Sequence, residues 1–188
     1  MPRSDEPHEA LGEDSTGAGL GVGAFEALFR DSSRDVHGYA ISLLGDRAAA
    51  EDVTALAFER LFRSRARLDT RRGTPRAWLF AIARNACLDE LRSRRRRASV
   101  ELEDELIHDR GAGEAFEQLE RRATVRSALS ALPLREREVV LLKFHGQLSN
   151  AELARALGVS TSNAATRLHR ALTKLRLQSA EIDRQEVA

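Results

Sequence analysis

Little in this 188-residue chain suits covalent or metal chemistry. Cysteine occurs once, at Cys87, which excludes an intrachain disulfide and any multi-thiolate zinc site. Mid-helix between Ala86 and Leu88, it reads as core filler. The five histidines, His8, His37, His108, His145 and His169, are scattered without ligand spacing, so neither metal catalysis nor a cofactor is expected. Carboxylate clusters and nucleophile–base pairs at suitable spacing are also missing, which argues against an enzyme and a small-molecule substrate. No apolar run approaches the roughly 18 residues a membrane span needs, and the N-terminus has charges where a signal peptide has its apolar segment. The expected location is the cytoplasm, without a membrane partner. No alternating apolar pattern occurs anywhere, so the fold class is all-α. Aromatic residues make up 5%, and Trp78 is the single tryptophan.

What is present is charge, and its signs are segregated. The formal net charge is +1. Residues 1–24 nevertheless carry Asp5, Glu6, Glu9, Glu13 and Asp14 against Arg3, a net of −4. From Arg60 to Arg97 there are 13 arginines against Asp69, Asp89 and Glu90, a net of +10. Residues 98–113 return to −4, with Glu101, Glu103, Asp104, Glu105 and Asp109 against Arg110. From Glu114 to Gln178, 11 basic residues face 6 acidic ones, a net of +5. Two basic blocks around an acidic one predict two polyanion-binding modules on a linker.

Apolar spacing divides the chain in the same way. Residues 1–23 combine acid with Gly12, Gly17, Gly19, Gly21 and Gly23, too little apolar content to offset the entropy of ordering, and read as a disordered tail. Phe25, Leu28, Phe29, Val36, Tyr39, Ala40, Leu43 and Leu44 recur near helical spacing up to Gly45. Asp46 caps a second helix whose stripe is Ala49, Val53, Ala57 and Leu61, with Phe58 and Phe62 beside it. After an arginine-studded loop from Arg63 to Gly73, Thr74 and Pro75 give an N-cap and first-turn proline for a third helix ending in Arg94–Arg97. In the second half, Phe116, Leu119, Ala123, Leu129 and Leu132 form a helix that Pro133 stops, and Arg135–Phe144 forms another, ended by Gly146. Ser149 caps a helix from Asn150 to Leu157, and Thr161 opens the last one through Leu168, Leu172 and Leu175. The domains are therefore 24–97 and 114–178, with a flexible acidic linker at 98–113 and a C-terminal tail at 179–188. Each half is enough for a small helical core of marginal stability.

Two constellations carry chemistry. In the first, Ser149 to Ser160 has the form of a helix-turn-helix, with small Ala154 where two helices must touch and Gly158 where the turn needs left-handed geometry. Ser160 caps the next helix and offers its amide end to a phosphate. On that helix Asn163, Thr166, His169 and Arg170 share a polar face, while Ala164, Leu168 and Leu172 turn to the core. The second constellation runs from Arg71 to Asn85, with Trp78 among arginines. That combination suits single-stranded DNA, since bases stack on rings while cations follow phosphates. Trp78 is also one turn from Ile82, so a position half core and half surface is the alternative.

The order of these motifs resembles an extracytoplasmic-function sigma factor, the bacterial transcription initiation factor with only regions 2 and 4. The resemblance covers residues 24–178. It rests on Ala50-Glu51-Asp52-Val53 with Phe58, on Arg76 to Asn85, on Leu132 to Val139, and on the helix-turn-helix ending Arg167-Leu168-His169-Arg170-Ala171. It implies a factor that binds core RNA polymerase and directs it to promoter DNA. Residues 24–97 would be region 2, docking on the polymerase clamp helices through the surface around Asp52, Val53, Leu56 and Phe58. Arg72, Thr74, Arg76, Trp78, Asn85 and Arg92 would hold the melted -10 element. Residues 114–178 would be region 4, with Arg135 and Arg137 toward the polymerase flap and Ser160, Asn163, Thr166, Arg167, His169 and Arg170 at the -35 element. The resemblance also implies an anti-sigma partner and a cytoplasmic, nucleoid-associated location.

This chain departs from the family pattern at two places. Ala55-Leu56 stands where a glutamine and an acidic residue are usual, which removes polar contacts at the clamp and leaves an exposed leucine. Ala165 stands where a cation is usual, which shifts -35 contact toward His169 and Arg170. Elements about 25 base pairs apart are separated by about 85 Å at 3.4 Å per step. The linker spans at most about 53–58 Å when extended, and each domain adds a gyration radius of about 11 Å, so the reach suffices only when the linker is stretched. A one-piece operator-binding regulator is the rival reading, but it leaves Trp78 and its arginines without a purpose. The sigma reading needs both Trp78 and Arg170 at the surface of two separate bodies.

Overall fold

The computed structural model describes residues 19–98 and 125–186, all in helices, turns and short connections. Helix α1 is Val22–Leu44, α2 is Arg47–Ser64 and α3 is Pro75–Ala98. Single 3-10 turns, Arg65–Arg67 and Thr70–Arg72, bridge α2 to α3. Residues 125–131 form α4, followed by α5 at Leu134–Phe144, α6 at Asn150–Leu157 and α7 at Thr161–Glu186. The expected caps form. Gly45 ends α1 at φ 68°, a left-handed conformation that favours glycine. The Ala49 amide donates to Asp46 Oδ1 at the start of α2, and the Ala77 amide donates to Thr74 Oγ1 at the start of α3.

Two boundaries differ from the sequence reading. Of the 23 residues assigned to a tail, residues 19–23 are tied down: the Gly19 amide donates to Leu68 O, the Leu20 amide to Arg65 O, and Leu20 is buried against the core. One leucine that docks outweighs the glycines beside it. At the other end α7 runs through Gln178 to Glu186, because no glycine or proline stops it. The acidic linker and the helix start around Phe116, Leu119 and Ala123 lie outside the described residues.

Helices α1, α2 and α3 pack on one another through Val36, Tyr39, Ala40, Leu43, Val53, Ala57, Leu61, Leu79, Phe80 and Ala83. The second half does not stand apart. Helix α5 packs on α1 and α6 packs on α3, so Val139, Leu142, Leu148, Leu153, Ala154 and Ala164 join the same core. A smaller cluster of Leu132, Val140 and Ala171, backed by Leu129, Leu172 and Leu175, holds α4, α5 and α7 together. The reason for the fusion is scale. A half of this size exposes much of its apolar surface if left alone, and burying α5 and α6 against α1 and α3 removes it from water.

Polar ties cross the same junction. Glu138 of α5, only 4% exposed, forms an ion pair with Arg84 of α3. Arg76 spends its guanidinium on both halves. Nε donates to Gly146 O (2.9 Å) and Nη2 to His145 O (2.7 Å), while Nη1 reaches Ser32 Oγ (2.9 Å) and Nη2 also pairs with Asp35 (2.6 Å) on α1. The His145 ring lies against Gly38, where a Cβ would stand 2.9 Å from Cε1, so only glycine leaves room for it.

Glu152 makes the third tie. Oε2 accepts from the Ser149 amide (3.0 Å) and hydroxyl (2.8 Å), closing a capping box on α6. Oε1 accepts from the Thr74 hydroxyl (2.6 Å) and amide (3.4 Å) at the start of α3. One carboxylate thus caps two helices in different halves. Burial pushes the Glu152 carboxyl up, but the hydrogen bonds from Thr74 and Ser149 together outweigh it and hold it at about 2.

Two stability outcomes are expected. Glu138→Ala leaves the Arg84 cation without its partner at the junction and should cost about 3–5 kcal/mol, while Arg84→Leu with Glu138→Leu should recover most of it; urea unfolding midpoints measure both. Because Glu152 ionises below its ordinary 4.5, its contribution is complete above that pH and is lost as pH falls toward about 2. Thermal melts across this window should show a loss in the native chain that Glu152→Gln does not share.

Candidate nucleic-acid interface

The helix-turn-helix forms as its residues require. Ala154 is buried at the contact of α6 and α7, and Gly158 takes φ 68°, ψ 37° with its amide donating to Arg155 O. Ser160 caps α7, accepting at Oγ from the Asn163 amide (3.2 Å). Ala164 and Ala171 are buried and Leu168 packs on the core, which rotates Asn163, Thr166, His169 and Arg170 to solvent. Arg167 is half-buried beside them. The expected polar face is therefore assembled on one rigid helix, with Ala165 half-buried next to it.

The arginine and tryptophan constellation divides between two faces. Trp78, 37% exposed, Asn85 and Arg92 lie seven residues apart along α3 and form one solvent-facing stripe about 21 Å long at 1.5 Å per residue. Trp78 is thus half core and half surface. Arg92 pairs with Asp89 (2.6 Å), and Asn85 Oδ1 accepts from Arg84 (3.3 Å). Arg72 stands exposed at the preceding turn, within 3.3 Å of Asp69. Thr74 and Arg76 belong to the other face. Their donors are spent on Glu152 and on the backbone of residues 145 and 146, because 76 and 78 are about 200° apart around a helix at 3.6 residues per turn. Trp78 Nε1 and the Arg155 guanidinium flank Gly73, bringing α6 close to the stripe.

The proposed polymerase-facing residues also separate. Between α2 and α3 lies an open groove of about 680 Å³ whose walls carry Asp52, Leu56, Asp89, Glu90, Arg94 and Arg97. Asp52 is exposed and Val53 forms part of the groove's buried floor. Leu56 is half-buried against the core rather than exposed. Phe58 is no surface residue at all: it lies inside, edge-on to Phe25 (6.2 Å) and Phe29 (4.7 Å), because it borders the stripe that faces α1. On α5 Arg135 is exposed, whereas half-buried Arg137 donates to Ser130 O and Leu132 O and so ties α5 to α4. Burial lowers the Arg137 guanidinium below its ordinary value.

Sequence reasoning missed Glu152, Arg155, Asp35 and His145. The Ser149–Glu152 spacing is a legible capping box; the second bond, to Thr74, spans 78 positions and has no local signal. Burial lowers the His145 imidazole below its ordinary value, with Asp35 opposing, so the ring at the junction favours its neutral form. Buried Cys87 has its thiol pushed up to about 12 by burial first and by Glu138 second, which suits core filler and not a reactive thiolate. Among the described residues no group of three or more His, Cys, Asp or Glu side chains is gathered as for a metal ion, and no helix is long and apolar enough to cross a membrane.

Two family models match, Sigma-70 region 2 over residues 28–97 and Sigma-70 region 4 over residues 122–175. ECF RNA polymerase sigma factor SigL of Mycobacterium tuberculosis H37Rv is 31% identical over 168 residues, covering 86% of this chain and 95% of that protein. SigE of Mycolicibacterium smegmatis, named likewise, is 30% identical over 177 residues, covering 92% and 68%. CnrH, solved in complex with the cytosolic domain of CnrY, superposes with a TM-score of 0.61 at 28% identity, covering 87% and 90%. The sigma factor RpoE from Bartonella quintana, solved with the anti-sigma factor NepR, shares the fold with a TM-score of 0.67 at 23% identity, covering 84% and 97%. With both region models in order and a relative matched over nearly its whole length, the chain belongs to the ECF RNA polymerase sigma factors.

Proposed function

We propose that this chain binds core RNA polymerase and directs it to promoters, with residues 24–97 acting at the -10 element and residues 114–178 at the -35 element. The observation that carries the division of labour is the pair of solvent-facing stripes, Trp78, Asn85 and Arg92 on α3 and Asn163, Thr166, His169 and Arg170 on α7. The first stripe suits a melted strand, where an aromatic ring stacks a base and arginines follow the phosphates. The second suits duplex DNA, since a capped recognition helix enters the major groove and an arginine there reads a guanine edge. Ser160 and the amide end of α7 hold a phosphate and set the register.

In this reading the α2–α3 groove around Asp52 and Leu56 receives the clamp helices, and the exposed end of α5, with Arg135, faces the flap. Val53 and Phe58 support that surface from within. Residues 98–113 tether the two regions. The chain makes and breaks no bond itself and works in the cytoplasm on the nucleoid. A protein antagonist of the kind NepR represents for RpoE belongs to the same reading.

Core polymerase should retain the purified chain on gel filtration and should initiate in vitro on a promoter only in its presence; a chain that shifts DNA alone and never binds core would favour the operator-binding regulator. Arg170→Ala should cost about 1–3 kcal/mol and relax preference at one -35 position, whereas uniform loss across promoter variants would mark a phosphate contact. Trp78→Ala should impair open-complex formation more than closed-complex binding, by about 1–3 kcal/mol per stacked base. Permanganate footprinting against filter binding separates the two steps.

A further inference from the structure

The N-terminal segment meets the folded body at its most basic turns. Between Arg63 and Arg72, which join α2 to α3, stand five arginines against Asp69, a net of +4. Arg63 and Arg72 are answered by Glu59 (2.7 Å) and Asp69 (3.3 Å), and the Arg65 guanidinium lies 3.9 Å over the exposed Phe62 ring. Arg67 and Arg71 are exposed and have no acidic partner among the described residues. The backbone is fixed against these turns: the Gly19 amide donates to Leu68 O (3.2 Å) and the Leu20 amide to Arg65 O (2.7 Å). At Gly19 φ is +92° and a Cβ would stand 3.0 Å from Ala66 Cα and O, so only glycine lets the chain pass this close. The residues before it, 1–18, carry Asp5, Glu6, Glu9, Glu13 and Asp14 against Arg3, a net of −4. Asp14 and Glu13 are within roughly 17–22 Å of Gly19 even along a fully extended chain.

We propose that the arginine turns between α2 and α3 are a docking surface for the carboxylates of residues 1–18, which pair with Arg67 and Arg71 until nucleic acid displaces them. Charge and attachment select this occupant. The +4 of the turns and the −4 of the segment cancel, and a tether of a few residues gives the carboxylates an effective concentration of about millimolar order at the turns. Exposed pairs that are individually weak then add up. The acidic stretch at 99–113 carries the same net charge but follows the far end of α3, about 35 Å from the turns at 1.5 Å per residue. The proposal rests on the promoter reading in one respect, that these arginines meet the strand held by the Trp78 stripe; Trp78 Nε1 lies 3.9 Å from where a Cβ on Gly73 would stand, directly after the turns. A strand that binds there must release the carboxylates. The segment therefore lowers nucleic-acid affinity most at low salt, where exposed pairs are strongest.

The chain has two lysines, Lys143 and Lys174, so carbodiimide coupling of an amine to a touching carboxylate gives few products. In the full chain carrying Arg67→Lys, coupling and mass spectrometry should join position 67 to carboxylates of residues 1–18, with the Lys174–Glu136 pair (2.6 Å) as internal control. Removal of residues 2–18 should raise affinity for a fluorescein-labelled oligothymidylate of about 20 nucleotides by about tenfold at about 0.05 M salt, and the difference should vanish near about 0.5 M. Asp5→Asn, Glu6→Gln, Glu9→Gln, Glu13→Gln and Asp14→Asn together should match the removal, because charge and not bulk is displaced. Both variants keep Gly19 and Leu20, the residues that tie the chain to the core. Unchanged oligonucleotide affinity in both variants would overturn the docking, as would coupling of position 67 to residues 99–113 in place of 1–18. A gain in affinity with no coupling at all would mark general repulsion and overturn it as well. In vitro initiation by the native chain with core polymerase is the separate control. Normal initiation with failed coupling removes only the docking; coupling without initiation supports the docking and removes the promoter reading.

Discussion

The turn from His145 to Leu148, lying across α1 and α3, is the contact on which the arrangement depends. Its backbone carbonyls at 145 and 146 face Arg76, its imidazole sits on Gly38, and Leu148 is buried in the common core. Lys143 holds the turn from behind, donating to Leu148 O (2.8 Å), and Gln147 accepts a positive φ of 55° to close it. Moving this turn by the width of a side chain would strip Arg76 of its two carbonyl acceptors, leave the Arg84–Glu138 pair to water, and uncover Leu142 and Leu153 together. The junction is therefore cooperative: polar and apolar parts share the same few residues and fail as a unit.

The arginine-rich middle of the chain uses its charge in two ways. Arg76 and Arg84 are drawn into the junction, while Arg94 fastens α3 to the Asp46 cap of α2 (3.0 Å) and pairs within α3 with Glu90 (2.8 Å), which Arg97 also reaches. These cations build the fold, and the acidic residues that answer them are few and specifically placed. Arg72 and Arg92 are different. Each is mostly exposed and, among the described residues, paired with a near neighbour in sequence, a contact worth little in water. A net charge of +10 between Arg60 and Arg97 thus overstates the charge presented to solvent, since part of it is neutralised inside the molecule.

Two halves that are each marginal by size gain stability by being buried together. The contact lies on the side of α3 that carries Thr74 and Arg76, while Trp78, Asn85 and Arg92 remain exposed on the other. One face of α3 thus carries the neighbouring half and the other faces solvent.

Local chemistry was legible from residue order alone. The caps at Asp46, Thr74, Ser149 and Ser160, the left-handed ends at Gly45 and Gly158, the buried Ala154 and Ala164, and the solvent stripe of α7 all follow from interactions within a few residues, which spacing records. Docking of Leu20, burial of Phe58, commitment of Arg137 to α4 and the loss of Arg76 to the junction were not legible, because each depends on which face of a helix another element happens to cover. Glu152 shows the boundary within a single side chain: one carboxylate oxygen serves its own helix and was readable from Ser149, and the other serves Thr74 far away in the chain. Sequence determined the helices, most of their caps and their charge; tertiary structure alone decided which cations and which apolar faces remain in water, since that choice is made by contacts between segments whose separation in the chain carries no periodic signal.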